Sequence, residues 1–196
     1  MLFEATADMF LSTTQPPASR DAGSAAKHGD PSLIAAVRGG DQDAFETMYA
    51  RYAPMVHGIL LARAPRDEVD DLVQDVFLTA LRKIHMLRDD AAFGGWLATI
   101  ARNRAMDFYR QRTESEELTE DIPDAAASTD DAGEAARALA AIRALPEAYR
   151  ETLILRLVEG MTGPEIAERT GLTPASVRVN LHRGMKLLRE MLGIAE

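Results

Sequence analysis

Between Thr113 and Ala136 the chain carries nine carboxylates (Glu114, Glu116, Glu117, Glu120, Asp121, Asp124, Asp130, Asp131 and Glu134) and no base. Few large apolar residues interrupt them. A stretch that buries so little apolar surface cannot offset its own ordering entropy inside a core. It therefore divides the chain into two bodies joined by a tether. The same run accounts for the formal net charge of −9, because the other 172 residues carry 22 acids and 22 bases. An acidic protein of this kind still has room for local basic faces.

Both bodies read as helical. Residues 1–30 are rich in Ala, Ser, Thr, Pro and Gly without periodicity and are expected to be a disordered tail. In the first domain, 31–112, Asp41 is placed to cap a helix in which Phe45, Met48, Tyr49 and Tyr52 recur at helical spacing, and Pro54 is expected to kink or interrupt it. Pro65 opens a second helix with one apolar stripe: Val69, Leu72, Val73, Val76, Phe77, Ala80 and Ile84. A loop, HMLRDDAAFGG, leads into WLATIARNRAMDFYRQR. The inner face of that helix is Leu97, Ile100, Ala101 and Phe108, with Trp96 near its start, and its outer positions are dense in arginine. Beyond the linker, 113–134, helicity resumes near Glu134. Leu139, Ile142 and Leu145 form one face, Pro146 breaks it, and Leu153, Leu155, Leu157 and Val158 follow. No run alternates β-branched residues between turns. The expected fold is all-α: two small helical domains on a flexible acidic linker.

Residues 160–189, in the second domain (135–196), have the layout of a helix–turn–helix. Thr162 and Glu165 fit a capping box with Pro164 in the first turn. Gly171 fits the left-handed residue that ends a helix. Thr173 caps the next helix, with Pro174 at its first position. On that second helix Val177, Leu181, Met185 and Leu188 point inward, whereas Ser176, Val179, Asn180 and Arg183 point away. Arg178, His182, Lys186 and Arg189 form an adjoining basic stripe, and no acid occurs from Pro174 to Arg189. Arg178, Asn180 and Arg183 suit base edges, and Lys186 and Arg189 suit phosphates. The plainer alternative is a solvated face on an ordinary helical hairpin.

Several classes are excluded or left without support. There is no cysteine, hence no disulfide framework, and the four histidines show no i,i+4 pair. No phosphate loop or nucleophile–base motif occurs, so neither a cofactor nor an enzymatic activity is expected. No run of about 18 apolar residues is present, and MLFEATADMF has acids where a signal peptide needs positive charge. The expectation is a cytoplasmic protein without direct membrane insertion.

Four stretches together resemble the bacterial extracytoplasmic-function (ECF, group 4) sigma factors of RNA polymerase: FETMYARY, DEVDDLVQDVFLTALRKI, FGGWLATIARNRAMDFYRQR and LPEAYRETLILRLVEGMTGPEIAERTGLTPASVRVNLHRGMKLL. With the residues between them they cover about 33–112 and 137–190. The resemblance implies that the first domain, sigma region 2, binds the polymerase clamp and the promoter's -10 element. The second, region 4, binds the -35 element and the polymerase flap. Asp71, Leu72, Gln74 and Asp75 would then meet the clamp, with Val73, Val76 and Phe77 buried beneath. On charge alone, those acids read equally as a solvated helix start. The loop Leu87–Ala92, including Leu87, Arg88 and Asp89, is similar to the family loop that captures a flipped base of the -10 strand. Arg102, Asn103, Asp107 and Arg110 match the family's pattern on the following helix, and Arg104 and Arg112 add charge. Unstacking a base costs a few kcal/mol, and stacking on aromatics returns about 1–3 kcal/mol per base. Thr173, Ser176, Arg178, Val179, Asn180, Arg183 and Lys186 would face the -35 element. An anti-sigma factor is the further partner the resemblance implies.

The chain departs from the family pattern in places. Val179 and Asn180 stand where many relatives have a small polar and then a basic residue, and Gly184 and Met185 replace a frequent Ala–Arg. Fully extended, the linker spans at most roughly 80 Å. Its carboxylates suit mimicry of nucleic acid in the polymerase channels, rest against the protein's own basic faces, or simple spacing. Two rival functions remain at this point: a stand-alone helix–turn–helix regulator that binds DNA without polymerase, and a sigma-like decoy that sequesters an anti-sigma factor.

Overall fold

A computed structural model describes residues 31–116 and 130–193, with side chains for 31–112 and 136–193; the tail, most of the linker and the last three residues lie outside the described residues. The order is α1 (Pro31–Arg38), α2 (Gln42–Leu61), α3 (Val69–Lys83), α4 (Phe93–Glu116), α5 (Asp130–Ala144), α6 (Glu147–Leu157), α7 (Gly163–Thr170) and α8 (Pro174–Leu192), with short 3-10 turns before α3 and on both sides of the loop before α4. Among the described residues there is no strand, and no helix is long and apolar enough to cross a membrane.

In the first bundle α2, α3 and α4 pack pairwise, and α1 lies against α2. Their shared core includes Met48, Met55, Ile59, Phe77, Phe93 and Leu97, each essentially without exposure. Burying such a side chain contributes about 1.5–3 kcal/mol. Asp41 caps α2 as expected, accepting from the Ala44 N–H at 3.0 Å. Pro54, in contrast, does not interrupt α2, which runs unbroken from Gln42 to Leu61. The carbonyl that loses its partner there is that of Ala50, on the exposed side of the helix, where water can satisfy it.

The second bundle packs α6 against α8, with α5 and α7 closing it. Pro146 separates α5 from α6. The helix–turn–helix forms as the sequence indicates: Thr162 and Glu165 make a reciprocal capping box, Gly171 takes a left-handed φ of 76°, and Thr173 caps α8. Gly184 lets α8 approach α6 closely, since a Cβ there would lie 3.0 Å from Leu153 Cδ1 and 3.1 Å from Tyr149 Cβ. The sequence expects helix to stop at 112 and resume near 134, but α4 reaches Glu116 and α5 begins at Asp130.

The two bundles also pack on each other, α2 and α4 of the first against α6 and α7 of the second. The carbonyls at the end of α2 need partners outside the helix: following backbone N–H groups take those of Gly58 and Leu60, Arg63 takes that of Ile59, and arginines of the second bundle take those of Leu61 and of Ala62 and Ala64 just beyond. Arg143 donates to Leu61 O (3.0 Å) and Ala64 O (2.8 Å), and Arg150 to Ala62 O (3.4 Å). Burial lowers the Arg143 pKa from its ordinary value, and the negative end of the α2 dipole favours a cation there.

Candidate nucleic-acid interface

The arginine-rich helix α4 turns its apolar side inward. Leu97, Ala101 and Ala105 are fully buried, and Trp96 and Phe108 pack partly buried against the core. Tyr109 is 48% exposed and meets Phe108 edge-on at 5.8 Å between ring centres, which makes it the exposed aromatic of this helix. Met106, which the pattern did not single out, is 67% exposed one turn earlier.

The charged residues of α4 divide into three settings. Asn103 is exposed, and Asp107 pairs with Arg110 at 2.9 Å on the exposed face. Arg104 reaches across to α3, donating from Nε at 3.0 Å and Nη2 at 2.7 Å to Asp75. One residue expected at the -10 strand is thus paired with one expected at the clamp. Arg102 points elsewhere, into the second bundle. It makes a two-pronged contact with Glu151, Nη2 to Oε1 at 2.6 Å and Nε to Oε2 at 3.1 Å. Arg63 joins the same carboxylate at 2.7 Å. Burial alone would push the Glu151 carboxyl up, but the hydrogen bond from Arg102 and the charges of Arg102 and Arg63 outweigh it and hold the carboxyl below its ordinary range.

On α3, Val73, Val76 and Phe77 are buried as expected, Asp71 is exposed and Gln74 is half-buried. Leu72 is a correction: its side chain is 2% exposed and belongs to the core stripe, so it is not available to touch a partner. Its i,i+4 relation to Val76 places both on the same inward face.

The loop before α4 is fixed from an unexpected direction. Leu87 packs partly buried, while Arg88 and Asp89 are exposed, and Asp89 accepts from the Ala91 N–H at 3.0 Å. Arg38, at the end of α1, clasps this loop. It donates to Asp90 Oδ2 at 3.3 Å and Oδ1 at 2.5 Å, and to the carbonyls of Leu87 at 3.4 Å and Ile84 at 3.5 Å. No local pattern in the sequence joins Arg38 to a loop some fifty residues later.

The outer face of α8 carries its candidates together. Arg178, Arg183 and Lys186 are exposed, Val179 is 43% exposed and Asn180 is half-buried. Val177 and Leu188 are buried on the opposite side. Thr173 and Ser176 are bound to one another, with 2.8 Å between hydroxyls and 3.1 Å from the Ser176 N–H to the Thr173 hydroxyl. They set the N-terminus of the helix that a major groove would receive.

The residues that sequence reasoning missed lie between the bundles: Arg63, Glu151, the His57–Glu159 pair at 2.6 Å, and Arg169, which donates to Arg51 O at 3.0 Å. One signal was present for Glu151, a single acid beside the apolar run Leu153–Leu155.

Comparison with known proteins gives matches over both bundles. The pattern of sigma-70 region 2 matches residues 48–115, and that of sigma-70 region 4 matches 135–188. The RNA polymerase sigma factor CarQ of Myxococcus xanthus is 37% identical over 81% of this chain and 95% of its own. The ECF RNA polymerase sigma factor RpoE of Cereibacter sphaeroides is 31% identical over 76% of this chain and 87% of its own. Among solved structures, that of CnrH in complex with the cytosolic domain of CnrY superposes with a TM-score of 0.59 and 27% identity, covering 86% of this chain and 99% of that one.

Proposed function

The chain belongs to the ECF sigma factors of RNA polymerase, and from that premise we propose how its two bundles divide promoter recognition. As a sigma factor it directs promoter-specific transcription initiation. The group 4 assignment is our finer reading, supported by two bundles joined directly through an acidic linker. Our domain reading places region 2 at 31–112 and region 4 at 135–196, and it places the protein in the cytoplasm with the polymerase.

The observation that carries the division of labour is the outer face of α8. Arg178, Arg183 and Lys186 stand exposed with no acid from Pro174 to Arg189. Such a face pairs base-reading forks with phosphate contacts. We assign it to the -35 element. The -10 strand goes to the loop around Leu87, Arg88 and Asp89 together with Arg102, Asn103, Arg104, Asp107, Arg110 and Tyr109. Asp71, Gln74 and Asp75 go to the clamp. Catalysis stays with the polymerase, while sigma lends the sequence preference and holds the opened strand. Because CnrH, a structural relative, was solved with CnrY, an anti-sigma factor is the partner proposed for the unstimulated state.

The test is transcription in vitro with core polymerase and a panel of promoters. The expected result is a stable complex with core and transcripts that need both promoter elements. Arg183→Ala should reduce promoter-specific transcription about 5- to 150-fold, the equivalent of about 1–3 kcal/mol for one base contact. No complex with core would overturn the assignment. Specific DNA binding as a dimer without polymerase would favour the stand-alone regulator.

A further inference from the structure

The contact between the bundles is built from features that serve neither bundle alone. Gly58 lies in the last turn of α2 and Gly94 in the first turn of α4, and neither has a positive φ. No turn therefore requires glycine at either place. A Cβ at Gly58 would lie 2.7 Å from Leu155 Cδ2 and 2.9 Å from Glu159 Cγ, both of the second bundle. A Cβ at Gly94 would lie 2.7 Å from the Arg169 carbonyl oxygen and 3.2 Å from its Cα, again across the interface. The second clash is with backbone, which no rotamer change relieves. Within a helix glycine is less favourable than alanine, and the short distances to the other bundle account for its use at these two positions. At the centre of the same interface Glu151 is 5% exposed and holds Arg63 and Arg102.

We propose that the first bundle carries a docking surface for the second bundle of the same chain, and that the docked state masks Arg102 from the -10 strand. The inference rests on the reading of Arg102 as a -10 contact. A guanidinium fork engaged by two carboxylate oxygens is not free to bind a phosphate or a base edge. Glu151 and the promoter strand therefore compete for one group. The apparent affinity of the free protein for the strand is reduced by the fraction of molecules that is open. Polymerase, by holding the two bundles apart on separate surfaces, removes that penalty.

The chain has no cysteine, so two introduced cysteines label it uniquely. Arg82→Cys on α3 and Glu190→Cys on α8 are both at exposed positions. Energy transfer between dyes at these sites is measured on the full chain without polymerase, alone and with Gly94→Ala or Glu151→Gln added. Binding to a fluorescent single-stranded -10 oligonucleotide is measured on the same samples. Far-UV circular dichroism checks the fold, which alanine in a helix favours. The expected result is one high-transfer population for the parent, a shift to low transfer in both variants, and about tenfold tighter oligonucleotide binding. A parent that is already low or broad in transfer, or variants that stay high, overturns the docked state. Opening without tighter binding overturns the masking, and Arg102→Ala in the open background then separates the causes. No further loss of binding removes Arg102 from the -10 surface. A loss keeps it there and shows that Glu151 does not compete with the strand.

Discussion

Two ionisable side chains at the bundle contact respond to pH in opposite senses. The hydrogen bond to Glu159 raises the His57 pKa above its ordinary 6.5; burial and the Arg66 charge oppose it, and the charges of Glu159 and Asp70 assist. A raised histidine stabilises the docked form fully below pH 6.5, and the contribution is lost as pH rises through the raised value. Glu151 is the reverse. Its carboxyl is held below the ordinary 4.5, so its contribution is present above 4.5 and is lost as pH falls through the lowered value. Arginine keeps its charge throughout this range. Docking should therefore be tightest between pH 4.5 and pH 6.5. Dye-pair transfer recorded from about pH 4 to about pH 8 checks this. His57→Gln should flatten the upper limb, whereas Glu151→Gln, which opens the contact, should hold transfer low across the range, and an unchanged profile in both would refute the pairing.

The helix–turn–helix is held by local chemistry, and its stability is testable one cap at a time. In the capping box the Thr162 N–H and hydroxyl donate to Glu165 Oε2 at 2.8 Å and 2.7 Å. Thr162→Ala should destabilise the second bundle by about 1 kcal/mol, seen as a lower urea midpoint at unchanged slope. Thr162 precedes α7, away from the outer face of α8, so the loss should show in stability before it shows in promoter choice. The same locality explains what could be read beforehand. Thr162, Glu165, Gly171 and Thr173 act on neighbours within three or four residues, and the stripe from Val69 to Ile84 repeats at the helix period. The direction of Arg102 was not readable in this way. Its partner Glu151 is 49 residues away, and Arg63 is 88 residues from the same carboxylate. Periodicity places Arg102 off the core stripe but cannot say what covers it. Pro54 misled for a related reason: its local effect on helix α2 falls on the exposed carbonyl of Ala50, where water absorbs it.

At the scale of the whole chain the charge is divided rather than spread. Nine carboxylates in 113–136 carry the whole net charge, and the arginine helix α4 leads directly into them. DNA is a dense polyanion, so a net charge of −9 slows its long-range approach even when a local face is complementary. Replacing the nine carboxylates by Asn and Gln brings the formal net charge to zero. Association of the free protein with promoter DNA should then accelerate at low salt. The gain should shrink as salt rises and vanish near 1 M, where the screening length is about 3 Å. Stopped-flow association rates across a salt series measure it. A gain that persists at high salt would mean that the carboxylates block the DNA face by direct contact rather than by field. No gain at any salt would leave them as a spacer. Transcription separates the remaining role. If the carboxylates stand in for nucleic acid in the polymerase channels, the neutral linker should also lower promoter-dependent output with core polymerase, at salt where the association rates of the two proteins have converged.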